Sequence, residues 1–175
     1  SSTDKWLEVH GLEHWSLYYT DYGNDLQKRF FDCFLKGEVS GWKDQPTVSL
    51  NVRHQGEEFV LRGEDNWPIP RTKWTKFYME PKGQLLAETP ANEEAALGYE
   101  AAGDGLTFVS NPLGEEIEFC GPIAAKLWVS SDTKDADIFL VVRVFSADLK
   151  EVVFHGALDP HTPVASGWLR ASHRK

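Results

Sequence analysis

The chain has 175 residues, 41% of them hydrophobic and 13% aromatic, a composition that excludes a disordered protein and fits a folded globular one. A net charge of −9 excludes a general nucleic-acid binder, because such a surface repels phosphate. The longest apolar runs are of strand length, so no membrane span is expected.

The first ten residues, SSTDKWLEVH, show no basic region followed by an apolar stretch, so a secretory leader is expected to be absent or already removed. Lys5–His10 reads as a short strand that meets a turn at Gly11. After the loop GLEHWSLYYT, the spacing predicts a helix over Asp21–Lys36. Leu26, Phe30 and Phe34 recur at i, i+4 and i+8, and Phe31 and Leu35 widen the stripe. Thr20 or Asp21 can cap its start, and Gly37 stands where a left-handed C-terminal glycine belongs.

From Gly37 the composition changes to Gly, Pro, Trp and alternating β-formers. Thr47–His54, Phe59–Arg62 and Thr72–Met79 are expected strands, the last after the elbow Trp67-Pro68-Ile69-Pro70. Lys82–Gly105 is polar and irregular and reads as a surface loop. Then Ile117–Cys120, Ala124–Ser130, Asp137–Phe145 and Glu151–Phe154 carry β-formers. In Asp137–Phe145 both alternating faces are mostly apolar, which predicts a central strand covered on both sides. Ser131–Ala136 and the Asp148-Leu149-Lys150 turn have lengths suited to antiparallel neighbours. The residues thus describe a strand–loop–helix piece followed by an all-β domain from about Gln45.

Cys33 and Cys120 lie in apolar surroundings without metal-type spacing and read as buried free thiols, which points to a reducing compartment and hence the cytoplasm. Six histidines are the candidate bases near neutrality. His10 and His14, in VHGLEH, sit past a strand end, where α/β sheets place catalytic groups; the plain alternative is polar loop residues. Gly11 opposes a helical His-x3-His metal pair, and no third ligand is evident. His54, His155, His161 and His173 are scattered. The chain has no G-x-S-x-G, Walker loop or CxxC pair. Ser131–Asp137 holds three carboxylates but lacks the glycine and terminal Glu of an EF-hand, so a solvated turn is expected there rather than calcium. Trp42, Trp67, Trp74, Trp128 and Trp168 are expected to pack in a core or domain interface, with a sugar-binding face as the alternative.

The segments LQKRFFDCFLKGEVSGW, EDNWPIPRTKWTKFYM, GPIAAKLWVSSDTKDADIFLVVRVFSAD and GWLRASHRK resemble the C-terminal part of the CocE/NonD hydrolases, a group that includes esterases and X-prolyl dipeptidyl peptidases of the S15 type. The resemblance runs over essentially the whole chain. It implies a mainly-β fold, a jelly-roll-like β-sandwich that is incomplete, preceded by a remnant of an α/β-hydrolase domain. Residues 1–44 would be the last strand, histidine loop and final helix of that domain, and residues 45–175 the truncated sandwich. The family's Gly-x-x-x-His-like turn is one residue tighter here, Gly11-Leu12-Glu13-His14, so the resemblance implies His14 as the triad histidine, with His10 as runner-up. It also implies that the serine, the triad aspartate and the oxyanion donors lie upstream of residue 1, and that further strands follow GWLRASHR. The implied activity is hydrolysis of an ester or an acyl or X-Pro dipeptidyl amide, without cofactor or metal, on a small-molecule ester or peptide. The sandwich would shape the acyl pocket, and the chain alone is expected to be inactive and to self-associate. A stand-alone carbohydrate-binding sandwich is the competing expectation.

Overall fold

The computed structural model describes residues 2–90 and 95–174. The chain divides into two units, Ser1–Pro70 with Pro122–Lys175, and Arg71–Gly121. None of the helices of the described residues is long and apolar enough to cross a membrane.

The first unit opens with strand β1 (Leu7–Val9), and a 3-10 turn at Leu17–Tyr19 leads to helix α1 (Asp21–Phe31). Thr20 is the N-cap: its Oγ1 accepts the Gly23 N–H at 3.1 Å and donates to the Leu17 carbonyl at 2.7 Å. Past Phe31 the helix widens into a π turn, Asp32–Lys36, and ends at Gly37 with φ 72°, the left-handed conformation that glycine adopts without strain. The expected helix is therefore present, with its last turn π. Asp32, buried at the junction, accepts from Lys28 at 2.7 Å and Lys36 at 2.5 Å. The Lys28 bond first, then Lys36, holds its carboxyl below the usual range.

The aromatic stripe is only half covered. Phe34 lies 5.9 Å from Trp6, while Phe30 lies 4.9 Å from Phe34 and 5.0 Å from Trp42. Trp6 and Trp42 meet at 5.5 Å, completing a four-ring cluster. Phe31 meets Phe30 edge-on at 5.4 Å but stays 49% exposed, and Leu35 is 76% exposed. A cavity of about 250 Å³ opens beside Tyr18, Leu26, Gln27, Phe30, Phe31 and Trp42.

Strand β2 (Val48–His54) pairs in parallel with β1, Leu7 opposite Val48 and Val9 opposite Leu50, so α1 lies in a parallel crossover. Strand β3 (Glu58–Glu64) returns antiparallel through a turn in which Gly56 and Glu57 have φ of 85° and 63°. The buried apolar residues among those described are Trp42, Val48, Leu50 and Ile69, the last just after a cis Trp67-Pro68 bond. Both expected strands of this region are present.

In the second unit, β4 (Tyr78–Met79) pairs antiparallel with β5 (Gln84–Leu86), and β5 pairs in parallel with β6 (Val109–Ser110). The expected strand Thr72–Met79 shrinks to its last two residues, because only these find a ladder partner. The expected loop Lys82–Gly105 contains β5, and residues 91–94 within it lie outside the described residues. A cavity of about 430 Å³ is lined by residues that include Phe77, Leu85, Leu86, Glu88, Asn111 and Leu113.

Back in the first unit, the stretch expected as one central strand is divided. Strand β7 (Asp137–Val142) ends before Arg143, and β8 (Val144–Phe145) follows. The break falls where the backbone changes partner. β8 joins β9 (Glu151–Val152) in a hairpin closed by the Ser146 N–H to the Lys150 carbonyl, whereas β7 pairs with β10 (Ala165–Arg170). With one ladder neighbour among the described residues, β7 is not central: Phe139 is 71% and Val141 56% exposed. Ile117–Cys120 and Ala124–Ser130 form no strands, because neither run meets a ladder partner among the described residues. Of the five tryptophans expected in a core or interface, Trp42 alone is buried within this chain, and Trp128 and Trp168 are 84% and 75% exposed. Cys33 and Cys120 form no disulfide and are partly exposed rather than buried.

Candidate functional site

The loop after β1 carries both candidate histidines. His10 directly follows Val9, at the C-terminal end of a strand in a parallel pair, and is partly buried. Its Nδ1 lies 2.9 Å from the Gly11 carbonyl oxygen. A carbonyl can only accept, so Nδ1 carries the proton and Nε2 of the neutral ring keeps its lone pair. Leu12, with φ 65°, turns the chain back. His14 is exposed and stands edge-on to Trp15, ring centres 4.5 Å apart. Between them, Glu13 accepts the Ser16 hydroxyl at 2.7 Å, and this bond, followed by a backbone N–H, holds its carboxyl below the usual range. The His10 ring thus bonds a backbone carbonyl, and the His14 ring rests against an indole.

Behind the loop lies a knot that sequence reasoning missed. Arg53 Nη2 donates to both Glu57 carboxylate oxygens, at 2.8 and 2.6 Å, and to the His155 carbonyl at 3.1 Å. The His155 N–H donates to Glu57 at 2.5 Å. Burial works against ionisation of Glu57, but the His155 N–H and Arg53 outweigh it and hold the carboxyl below its usual range. The Arg53 guanidinium stacks 3.9 Å from the Phe154 ring centre and 5.4 Å from that of Phe59. Arg53 and Glu57 flank Gly56 in a readable hairpin pattern. They pair with each other, but Phe154 and His155 lie some hundred residues away, so no local signal names those partners.

Of the remaining histidines, His155 lies near the loop and helps hold the Glu13 carboxyl down. It joins the Arg53–Glu57 knot through its backbone, the His161 N–H donates to Asp159 at 2.8 Å, and His54 and His173 are exposed. The acidic run is engaged by the chain itself. Asp135 accepts the Ser172 N–H at 3.0 Å and its hydroxyl at 2.5 Å, and Asp137 receives a two-bond fork from Arg170. No group of three or more His, Cys, Asp or Glu that could hold a metal occurs among the described residues.

Residues 40–175 match the protein family described as the X-Pro dipeptidyl-peptidase C-terminal non-catalytic domain. The cocaine esterase of Rhodococcus sp. (strain MB1 Bresler) is 26% identical over 150 residues, which cover 64% of this chain and 26% of the esterase. Two crystal structures of a CocE/NonD family hydrolase from Staphylococcus aureus superpose with TM-scores of 0.79 and 0.75 at 26% identity. They cover 99% of this chain and 32% of the hydrolase. The chain therefore spans about a quarter of the curated relative's length and about a third of the solved hydrolase's.

Proposed function

The chain belongs to the family of X-Pro dipeptidyl-peptidase C-terminal non-catalytic domains, and on that premise we propose that it is the C-terminal portion of a serine hydrolase acting on ester or amide bonds. Its fold is the mainly-β, open-sheeted sandwich of the C-terminal domain of CocE/NonD hydrolases. In this reading residues 1–44 end the α/β-hydrolase domain and residues 45–175 form a jelly-roll-like sandwich. The β1–β2 pairing then carries one sheet across the junction. The sandwich packs on the catalytic domain and supplies one wall of the acyl pocket. The substrate is a small ester or peptide.

The observation that carries the reading is the histidine loop at the C-terminal end of β1 in a parallel pair. His14, matched by the family-like turn, serves as the base that takes the proton of a serine outside this chain. A second reading gives that role to His10, favoured by its position at the strand end and its Nδ1–H bond. Serine–histidine acyl transfer uses no cofactor.

The test compares p-nitrophenyl acyl ester turnover by this chain and by the intact hydrolase that contains it. The chain alone is expected to show only the buffer rate. In the intact enzyme, His14→Ala is expected to lower kcat by several orders of magnitude. A larger loss with His10→Ala moves the assignment to His10, and indifference to both substitutions overturns the reading. The exposed neighbours Trp168 and Phe139 are the observation that favours a stand-alone sugar-binding sandwich instead. Saturable binding of soluble oligosaccharides, with no ester turnover by the intact protein, would establish that alternative.

A further inference from the structure

The Phe59 ring occupies the place where a side chain on residue 11 would begin: a Cβ there would lie 2.0 Å from Phe59 Cε1 and 2.3 Å from its Cζ. Residue 11 is therefore glycine because β3 presses an aromatic ring against its backbone. The Gly11 carbonyl is the group that holds the proton on His10 Nδ1. The ring itself is fixed from behind. Arg53 lies over Phe59 and Phe154, and its fork on Glu57 and its bond to the His155 carbonyl pin the guanidinium. Three stretches distant in sequence thus meet behind the histidine loop: residues 10–14, the 53–59 hairpin and the Phe154-His155 pair.

We infer that Phe59 is a positioning residue for the histidine loop, acting through the Gly11 backbone and braced by the planar Arg53 cation. A hairpin of the non-catalytic family domain thereby sets the tautomer of a histidine on the preceding loop. The role in catalysis rests on the serine-hydrolase reading above with His10, its second candidate, as the base; the role in setting the tautomer does not. A base histidine must present a bare nitrogen in a fixed direction, and displacement by an ångström is enough to slow an otherwise intact site.

The experiment has two readouts. In the 175-residue chain, nitrogen-15 NMR of the imidazoles reports which nitrogen of His10 is protonated. The unsubstituted chain and Phe59→Tyr, which keeps the ring, are expected to show the Nδ1–H form, and Phe59→Leu a shift toward the Nε2–H form. In the intact hydrolase, Phe59→Leu is expected to lower kcat by about 10- to 100-fold with little change in KM. Arg53→Lys keeps the charge but loses the planar stack, so it should act in the same direction by a smaller factor. It decides the matter by the same two readouts if Phe59→Leu does not fold. An Nε2–H form in the unsubstituted chain, or a tautomer indifferent to Phe59→Leu, overturns the inference. A hydrolase indifferent to His10→Ala sinks the catalytic role alone, and the NMR result still decides the positioning role.

Discussion

Arg170 stands directly opposite Asp137 in the β7–β10 ladder, and its guanidinium closes on that carboxylate through two hydrogen bonds of 2.8 Å each. Two residues away on each strand side, Asp135 accepts both the backbone N–H and the hydroxyl of Ser172. The acidic run and the GWLRASHRK string are thereby joined into one clasp, in which each carboxylate is ionised and bonded. The Arg170 bond holds Asp137 below its usual range, and the Ser172 hydroxyl does the same for Asp135.

The clasp should make the fold acid-sensitive. A carboxylate whose folded pKa is depressed contributes stability above its unfolded pKa and loses it as pH falls through the folded value. The loss should therefore begin near the ordinary aspartate range, at about pH 4, and deepen below it. Asp137→Asn is expected to lower the melting temperature at neutral pH and to flatten the acid limb. Melting curves from neutral to acid pH measure both, and a variant as acid-sensitive as the original chain would contradict the clasp.

Burial decides where truncation hurts. Leu50 is 3% exposed, and Leu50→Ala should cost about 2–5 kcal/mol through lost transfer energy and a residual cavity. Val141, on β7, is 56% exposed, and Val141→Ala should stay within about 0.5 kcal/mol. Urea unfolding of the two variants is the comparison. Equal losses would mean that β7 is covered in solution.

The start of α1 depends on one hydroxyl. Thr20→Ala removes the acceptor of the Gly23 N–H and should destabilise by about 0.5–2 kcal/mol, whereas Thr20→Ser should retain most of that stability. Circular dichroism melts of the two variants separate the cap from the loss of a methyl group.

The uncovered half of the helix stripe should drive association. Phe31 and Leu35, and across the β7–β10 ladder Phe139 and Trp168, leave apolar surface in water that a stable chain tends to cover. Sedimentation at micromolar concentration is expected to show a boundary that moves with loading, and Phe31→Glu with Leu35→Glu should reduce the shift. A monomer boundary independent of concentration would rule out association through these faces.

The helix was legible from the sequence almost to the residue, because its determinants are local. The cap Thr20, the stripe at Leu26, Phe30 and Phe34, and Gly37 at the end act within about one turn of one another. β2, β3 and the β8–β9 hairpin were legible for the same reason, their partners lying just across short turns. The family resemblance was likewise carried by short strings, including the Trp67–Trp74 elbow and GWLRASHRK, and the family match over residues 40–175 agrees with it. Tertiary structure alone decided the rest. Ile117–Cys120 and Ala124–Ser130 have the composition of strands yet form none, since a strand exists only where another backbone meets its N–H and C=O groups. The same requirement split Asp137–Phe145 at Arg143, where the chain exchanges β10 for β9 as its neighbour. It also joined β1 to β2 across the helix. The contact of Phe59 with Gly11 and the Arg53 bond to the His155 carbonyl belong to this second class: each group has an ordinary local reading, and only the folded chain brings its partner within reach.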